Sequence, residues 1–500
     1  MNSQPVLVTG ATGYVGGRLV PRLLAAGHRV RALGRSVAKL QSRPWGRHPL
    51  IELAQGDVLD AASLHRAAQG CWAAYYLVHS MTAAARDFAR TDRQAAQNLV
   101  QAAAAAGLDR IIYLGGLGAA DDPRLSEHLR SRFEVARILQ SCPVPVTFLR
   151  AAMILGSGGA AFEILRYLVD RLPVMLTPRW VHTPVQPIAI RNVLAYLIGC
   201  LEHDETRGQT FDIGGPEVVT YRRLMDIYAE EAGLPRRLVI PVPVLTPKLS
   251  SYWIHLVTPV PASLARPLAE GLANPVICQD NRIREIIPQE LLDCRQTIRL
   301  ALQRLEQQRV ETCWRDAGLT IPPEWAACGD AAFAGGTVLS LGYRVRLRAT
   351  PAEVWEPLVR IGGETGWYYG NLLWNLRGWA DRLLGGVGTG RGRRHPLELR
   401  TGDALDFFRV LDMEPERRLL LLAEMKMPGE ATLEFRLTPL DEGQTDLTQT
   451  ARFLPRGLLG LAYWYLLDPF HRRIYQGMLQ ALAAASGKPV TAGPERLETK

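Results

Sequence analysis

The chain begins with an apolar run, a glycine-rich turn and an amphipathic stretch. Val6–Val8 is uniformly apolar, which is typical of a strand buried on both faces of a parallel sheet. Apolar residues then recur at helical spacing through Val15, Leu19 and Leu23, and a second strand-like run follows at 29–33. This order predicts a strand, a helix and a second strand parallel to the first.

Further strand patterns alternate with Ala- and Leu-rich helical segments, notably 92–107 and 127–140. The additional strands are predicted at 51–53, 75–78, 110–114 and 146–149. Because a helix that connects two parallel strands crosses over with a right hand, this alternation predicts an α/β fold with a doubly wound parallel sheet of Rossmann type.

A chain of 500 residues is too long for one ordinary domain. The strand–helix alternation and the mixed, proline-richer region after it predict a first domain over 1–316. Within it, 151–316 is predicted to contribute the substrate-side subdomain. A proline pair and a Gly/Ala-rich run within 317–336 predict a linker.

A second domain, of α+β type, is predicted over 337–486, with 487–500 as a tail. Strand patterns are followed by a closing helix, predicted from Pro469 to about residue 485. Asp468 is its predicted N-cap, because aspartate before a proline favours the start of a helix.

Composition and charge narrow the classes of function. The net charge is +9, but the sequence has neither a dense basic stripe nor a nucleic-acid reading motif, so no nucleic-acid partner is expected. Seven scattered cysteines without a C-x-x-C pair argue against disulfides, and no metal site is predicted. Neither a secretory signal nor a spanning apolar run is evident, so we expect a cytoplasmic protein. The aromatic, apolar segment 458–467 is predicted to be either the wall of a ligand cavity or a peripheral contact with the inner membrane.

The glycine turn carries the first chemical signal. Glycines at this spacing between a strand and a helix permit a tight turn, close approach of a pyrophosphate, and binding at the helix N-terminus. The predicted dinucleotide-binding residues of this turn are Gly10, Thr12, Gly13, Tyr14, Val15 and Gly16.

The second strand ends in Gly34-Arg35-Ser36. An acidic residue at this point would bind the ribose hydroxyls of NAD(H), whereas an arginine suits a 2′-phosphate. We therefore predict that Arg35 and Ser36 bind the cofactor and that NADP(H) is favoured over NAD(H). A solvated surface arginine is the alternative.

Residues 4–245 resemble the atypical short-chain dehydrogenase/reductases, in particular the NmrA-like group. The resemblance rests on the glycine turn, Gly34-Arg35-Ser36, Gly56-Asp57-Val58, Tyr113-Leu-Gly-Gly116, Leu149-Arg150 and Gln186-Pro187-Ile188. It implies that Asp57 and Val58 lie beside the adenine and that Val78 and His79 pass the cofactor ribose.

The chain departs from the catalytic pattern of that family, which is a Ser, a Tyr and a Lys. By resemblance, His128 stands where the Tyr would be, Arg132 where the Lys would be, and Gly115 and Gly116 where the Ser would be. His128 and Arg132 are therefore the candidate catalytic residues, with Arg132 also a candidate for holding the ribose or phosphate. The alternative for His128 is a solvated helix face.

Residues 337–486 resemble a bacterial family of unknown function in the START-like, helix-grip superfamily. That fold wraps a curved antiparallel sheet around a long C-terminal helix and leaves a ligand cavity. The predicted pocket residues are Trp367, Tyr368, Tyr369, Trp374, Arg391 and Arg394. The alternatives are ordinary core packing for the aromatic residues and a solvated loop for the arginines.

These patterns support three functions. The first is an NADP(H)-dependent reductase or isomerase of an apolar, isoprenoid or quinone-like small molecule held by the C-terminal cavity. The second is a non-catalytic nucleotide-binding sensor or structural module, like NmrA-like regulators and the nucleotide-binding accessory subunit of respiratory complex I. The third is a membrane-associated lipid carrier that the Rossmann half regulates.

Overall fold

The computed structural model describes residues 3–78, 88–118, 127–242, 254, 270–271, 274–306, 338–440 and 443–497. The chain divides into two units, Met1–Gly318 and Leu319–Lys500. The predicted linker lies outside the described residues.

The N-terminal unit is built on a seven-stranded parallel sheet, which confirms the predicted α/β fold class. Its strands lie in the order β11-β6-β5-β4-β1-β2-β3. They are β1 (Val6–Val8), β2 (Val30–Gly34), β3 (Ile51–Gln55), β4 (Ala73–Tyr76), β5 (Arg110–Gly116), β6 (Val146–Ala151) and β11 (Thr210–Ile213).

Successive residues of the central strand enter two different cores. Val6 and Val8 pack in one cluster, whereas Leu7 packs in another, because side chains alternate between the faces of a strand. The first seven helices are α1 (Gly16–Ala25), α2 (Val37–Gln41), α3 (Ala61–Ala68), α4 (Phe88–Ala106), α5 (Glu127–Gln140), α6 (Ala160–Arg171) and α7 (Ile190–Glu202). Helices α1 and α7 share the cluster of Val6, and α3, α4 and α5 share that of Leu7, so both faces are covered.

In its described residues, the region after β6 carries short strand pairs and, beyond α6 and α7, three more helices. The pairs are β7 (Ile154–Leu155) with β10 (Ile188–Ala189), β9 (Pro184–Val185) with β12 (Val219–Thr220), and β8 (Val174–Thr177) with β13 (Leu238–Pro241). The helices are α8 (Tyr221–Glu231), α9 (Ile283–Ile286) and α10 (Cys294–Glu306). Phe162 of α6, Tyr228 of α8 and Ile298 of α10 share a separate apolar cluster.

Over its described residues, the C-terminal unit is a seven-stranded antiparallel sheet with three helices. Its strands lie in the order β15-β16-β17-β18-β19-β14-β20. They are β14 (Leu339–Leu347), β15 (Ala404–Leu405), β16 (Phe408–Glu414), β17 (Arg418–Ala423), β18 (Gly429–Leu440), β19 (Gln444–Pro455) and β20 (Val490–Arg496). The helices are α11 (Pro351–Leu358), α12 (Asn371–Leu383) and α13 (Gly457–Ala485).

Two predictions for this unit are wrong. Helix α13 begins at Gly457, twelve residues before the predicted start at Pro469, which lies inside it. The apolar turns before the proline are helical because Trp464 packs there against Phe453 of β19. The predicted tail contains β20, which pairs antiparallel with β14. A helix of 29 residues against an antiparallel sheet is the observed arrangement, while the START-like, helix-grip assignment stays a prediction. Among the described residues, no helix combines the length and the apolar character that crossing a membrane requires.

Candidate functional site

The glycine turn between β1 and α1 leaves no room for side chains. Gly10 has φ +70°, and a Cβ on it would lie 2.8 Å from the carbonyl oxygen of Leu77. A Cβ on Gly16 would lie 2.3 Å from the carbonyl oxygen of Gly10, and one on Gly13 would lie 3.2 Å from it. The backbone therefore folds back on itself in a way that glycine alone accommodates, and its surface is open to a phosphate.

Helix α1 begins directly at this turn. Val15 occupies its N-cap position, where a valine side chain accepts no hydrogen bond from the first turn. N–H groups at an uncapped helix start, together with the helix dipole, attract an anion. Thr12, Gly13, Tyr14 and Val15 are only partly buried, so they form an accessible rim. The predicted turn residues thus fit a dinucleotide pyrophosphate.

The buried side chain of Arg18 holds the glycine turn in place. The Arg18 guanidinium lies 4.4 Å from the centre of the Tyr14 ring, and its Nη2 donates to the carbonyl oxygen of Ser157 at 2.8 Å. The Tyr14 hydroxyl packs over Gly156 and Gly159, where an added Cβ would lie 2.7 and 3.1 Å from it. Sequence reasoning missed Arg18 and Ser157, because their contact joins segments 139 residues apart.

The ends of β2 and β3 bring the predicted adenine-side residues together. Arg35 follows β2 with an accessible side chain; partial burial lowers the pKa of its guanidinium, while the nearby Asp57 carboxylate raises it. The Ser36 hydroxyl caps α2 by accepting from the N–H of Lys39. The loop of Asp57 is held by its N–H donating to Ser63 Oγ at 3.1 Å.

Two further predicted residues flank this side of the sheet. Asn98 Nδ2 of α4 donates to the carbonyl oxygen of Val58 at 2.9 Å, which fixes Val58 beside the sheet edge. Val78 follows β4 and packs partly buried on the same core cluster as Val58. His79 lies outside the described residues. The side chain of His128, which belongs to α5, is also outside them.

Arg132 is buried in an ion pair. Its Nη2 lies 3.2 Å from Asp92 Oδ2 of α4, and both side chains are 4% exposed. Ser131 Oγ donates to the same carboxylate oxygen, and the Tyr113 hydroxyl donates to the carbonyl oxygen of Arg132. The pair ties α4 to α5. This position favours a structural role for Arg132, and its predicted contact with the ribose stays a prediction.

Gly115 and Gly116, at the end of β5, are tightly enclosed. A Cβ on Gly115 would lie 2.6 Å from the Phe148 ring, and one on Gly116 would lie 2.6 Å from Leu129 Cδ2. A serine at either position would require core side chains to move. The side chains around Gly115 and Gly116 are therefore packed for glycine, at the position where the resemblance would place a serine.

The C-terminal unit contains an apolar cavity of about 190 Å³. It lies between α12, α13 and the sheet, and its larger lining side chains are Trp374, Phe408, Met425, Phe453, Trp464 and Tyr475. Arg377, Arg452 and His471 also line it, and among the described residues no carboxylate does. Burial lowers the pKa of the His471 imidazole, so this side chain stays neutral near pH 7.

The structure corrects the prediction of the pocket residues. Trp374 lines the cavity, but Trp367 is core: its Nε1 donates to Asp406 Oδ2 at 3.0 Å, and its ring stacks on Phe407. The Tyr368 hydroxyl donates to the carbonyl oxygen of Pro357 at 2.8 Å. The ring of Tyr369 packs over Gly477 of α13.

Arg391 and Arg394 do not line the cavity either, because carboxylates hold them. Arg391 pairs with Glu424, which also accepts a hydrogen bond from Arg409 Nε at 2.7 Å. Arg394 pairs with Asp403 at 3.1 Å. Burial raises the pKa of the Glu424 carboxyl, but the two arginines outweigh it and hold this pKa at about 2. Both arginines are thus structural.

Trp464 lies in segment 458–467, for which a cavity wall was one of two predicted roles, whereas His471 and Tyr475 were not connected with it because helix α13 was predicted to start at Pro469. Trp464, His471 and Tyr475 follow one another at seven and four residues, which is the spacing of one helix face. A helix pattern extended back to residue 457 would have placed them together.

Two family models match the chain. Residues 10–166 match a family described as NAD(P)H-binding, and residues 333–478 match a protein of unknown function, DUF2867. Together with the glycine turn, the first match supports a nicotinamide nucleotide as the ligand of the N-terminal unit.

Several curated proteins that match part of the chain are named as reductases. The chain is 29% identical over 239 residues to (4-alkanoyl-5-oxo-2,5-dihydrofuran-3-yl)methyl phosphate reductase of Streptomyces griseus, covering 46% of this chain and 75% of that protein. It is 30% identical over 171 residues to ceramide reductase of Caulobacter vibrioides, covering 34% and 52%. The chain thus spans about half the length of the second relative.

Among solved structures, triphenylmethane reductase of Citrobacter sp., complexed with NADP(H), has a similar fold. The TM-score is 0.50 at 19% identity, and the match covers 59% of this chain and 99% of the other. At this identity the likeness concerns the fold alone.

Proposed function

We propose that the chain is an NADP(H)-dependent reductase or isomerase of an apolar small molecule, isoprenoid or quinone-like, and that the C-terminal cavity holds this molecule. The observation that carries the proposal is the uncapped start of α1 at a turn where Gly10 and Gly16 exclude any side chain. Such a surface suits a pyrophosphate and little else.

Each part of the site has a distinct task in this proposal. The turn from Gly10 to Gly16 binds the pyrophosphate, the loop of Asp57 and Val58 borders the adenine, and Arg35 binds the 2′-phosphate. The bound nicotinamide supplies the redox chemistry, while the protein orients it. Arg18 and Tyr14 keep the turn rigid by joining it to Ser157.

The proposed substrate class rests on the cavity and on the relatives. Aromatic and methionine side chains line the cavity without a carboxylate, which suits an apolar molecule. A protein named ceramide reductase is among the relatives of the N-terminal half, and this supports reduction of an apolar substrate.

Calorimetry of the purified chain with NADPH and with NADH tests the cofactor proposal. Arg35→Ala should raise the Kd for NADPH about tenfold or more, because a charge-assisted hydrogen bond to a phosphate is lost. The Kd for NADH should change little. Arg29→Ala is the matched control, since Arg29 is an exposed arginine at the other end of β2 that pairs with Glu52. Equal effects of Arg35→Ala on both nucleotides would contradict the preference.

A second candidate function is a non-catalytic nucleotide-binding module. The packing around Gly115 and Gly116 and the ion pair between Arg132 and Asp92 favour it, because both positions serve structure. Loss of NADPH absorbance in the presence of quinones and enals separates the two candidates. Tight NADPH binding with no oxidation by any acceptor would support the module.

A further inference from the structure

Helix α12 carries a continuous apolar stripe that faces solvent. Leu372, Leu376, Trp379 and Leu383 are spaced by four, three and four residues, so they lie on one face of the helix. These side chains are 59–82% exposed. Four large apolar residues in line on a helix surface exceed the scattered exposure that is normal in a folded domain.

Helix α13 continues this surface. Leu459, Leu466 and Phe470 recur at seven and four residues and are also exposed. Helices α12 and α13 are neighbours, because both line the cavity and a Cβ on Gly370, next to α12, would meet Ile474 of α13. We call the seven residues of the two stripes the apolar face: Leu372, Leu376, Trp379, Leu383, Leu459, Leu466 and Phe470.

The apolar face runs into the cavity. Phe470 belongs to the face and also lines the cavity, and Leu373, next to Leu372, lines the cavity while remaining exposed. Leu467, beside Leu466, lines it as well. Apolar side chains of both helices thus join the apolar face to the lining of the cavity.

The charges on the two helices are mainly positive. They comprise Arg377, Arg382, Arg472 and Arg473 against Asp381 and Asp468. Asp381 is buried and accepts hydrogen bonds from the N–H groups of Gly388 and Lys426. Asp468 pairs with Arg472 at 2.5 Å. Exposed Arg473 lies one turn beyond Phe470, so a cationic group borders the apolar face.

We propose that the apolar face docks onto an anionic phospholipid bilayer, from which an apolar ligand enters the cavity. Leucine, tryptophan and phenylalanine beside arginine are the residues with which a helix lies in a membrane interface. A protein partner would also cover leucines, but an apolar route into a cavity suits a surface that supplies apolar molecules. Docking requires no nucleotide, so its failure and failure of the proposed reductase activity are separate results.

Co-sedimentation of the full chain with vesicles tests the proposal. The vesicles are made of phosphatidylcholine alone or of phosphatidylcholine mixed with phosphatidylglycerol. The wild-type chain should sediment with the mixed vesicles, and the double variant Leu376→Ser, Leu466→Ser should bind at least about tenfold more weakly. Arg473→Gln should weaken binding about fivefold, and only on the anionic vesicles.

The matched control is Leu397→Ser, which removes an exposed leucine outside the two helices and should leave vesicle binding unchanged. Because all substituted side chains are exposed, the variants should keep the wild-type melting temperature. As an independent readout, brominated acyl chains should quench the fluorescence of the wild type more than that of Trp379→Phe.

Three results would overturn the proposal. The first is a wild-type chain that stays in solution with both kinds of vesicle. The second is equal vesicle binding by the wild type and the double serine variant. The third is a dimer, seen by sedimentation velocity and dissolved by the same two substitutions, in a chain that binds no vesicles, since the face would then join two copies.

Discussion

Replacing Gly16 by alanine perturbs the glycine turn at its tightest point. The new Cβ would lie 2.3 Å from the carbonyl oxygen of Gly10 and 2.9 Å from its carbonyl carbon, whereas ordinary contact begins at 3.4 Å. Both atoms are backbone, so no rotamer change relieves the overlap, and α1 and the turn must separate by about 1 Å. Overpacking of this kind costs about 1–3 kcal/mol of folding free energy.

The same displacement should abolish most nucleotide affinity. Phosphate oxygens need the turn N–H groups and the start of α1 at hydrogen-bond distance together. Loss of one charge-assisted hydrogen bond is worth about 1.5–3 kcal/mol, which raises the Kd for NADPH roughly ten- to hundredfold. Isothermal calorimetry measures this Kd, and a melting curve of the same sample measures the loss of stability.

Gly70→Ala is the control for the folding cost. Gly70 has φ +71° and an added Cβ would meet nothing within 4 Å, so alanine there is strained without disturbing the turn. Both variants should melt at a lower temperature than the wild type, but only Gly16→Ala should lose NADPH affinity. A Gly16→Ala protein that binds NADPH within about twofold of the wild type would refute the assignment of the turn as the pyrophosphate site.

Two further predictions concern buried ion pairs. The pKa of Glu424 in the folded chain is about 2 instead of 4.5, so this carboxylate contributes about 3 kcal/mol that is fully present above pH 4.5 and lost as the pH falls toward 2. Urea unfolding between pH 4.5 and 2 should show this decrease in the free energy of unfolding, and Glu424→Gln should make the pH dependence smaller. A Glu424→Gln variant with the pH dependence of the wild type would contradict the reasoning. Arg132→Met should cost about 3 kcal/mol, because it removes the guanidinium that balances the buried charge of Asp92, and adding Asp92→Asn should restore part of that stability in a melting experiment. If NADPH affinity also falls and stays low in the stable double variant, Arg132 holds the cofactor as well.

The N-terminal sheet was predictable because its strands are buried on both faces. Residues such as Val6, Leu7 and Val8 must all be apolar when helices cover both sides, and this leaves short apolar runs between helical patterns. The glycine turn was equally visible, since its function depends on backbone shape that only glycine permits. The role of Arg18 could not be predicted from the sequence. Its partner Ser157 is remote in sequence, and the contact is to a backbone oxygen.

The C-terminal unit was harder to predict because its signals are ambiguous. Strand β20 contains Gly493 and Pro494 and is largely exposed at the edge of the sheet, so it lacks the apolar pattern of a central strand. Pro469 suggested a helix start, although a proline also occurs within a long helix when packing on both sides supports it. The density of aromatic residues near Trp367 indicated a pocket. Trp367 is instead a core residue whose indole N–H donates to Asp406, and a partner 39 residues away is not visible in the local sequence.

The arrangement at the end of β5 bears on which substrates suit the proposed reductase. A hydroxyl that donates a hydrogen bond to the reacting carbonyl oxygen contributes roughly 10²–10³-fold to such a reduction. Gly115 and Gly116 supply no such hydroxyl at the position of the serine, and a Cβ on Gly115 would lie 2.6 Å from the Phe148 ring. An acceptor such as a quinone, whose reduced oxygen is a weak base that water can protonate, depends less on such a group than an isolated ketone does. The packing of these glycines therefore favours the quinone-like end of the proposed substrate range over simple carbonyl compounds.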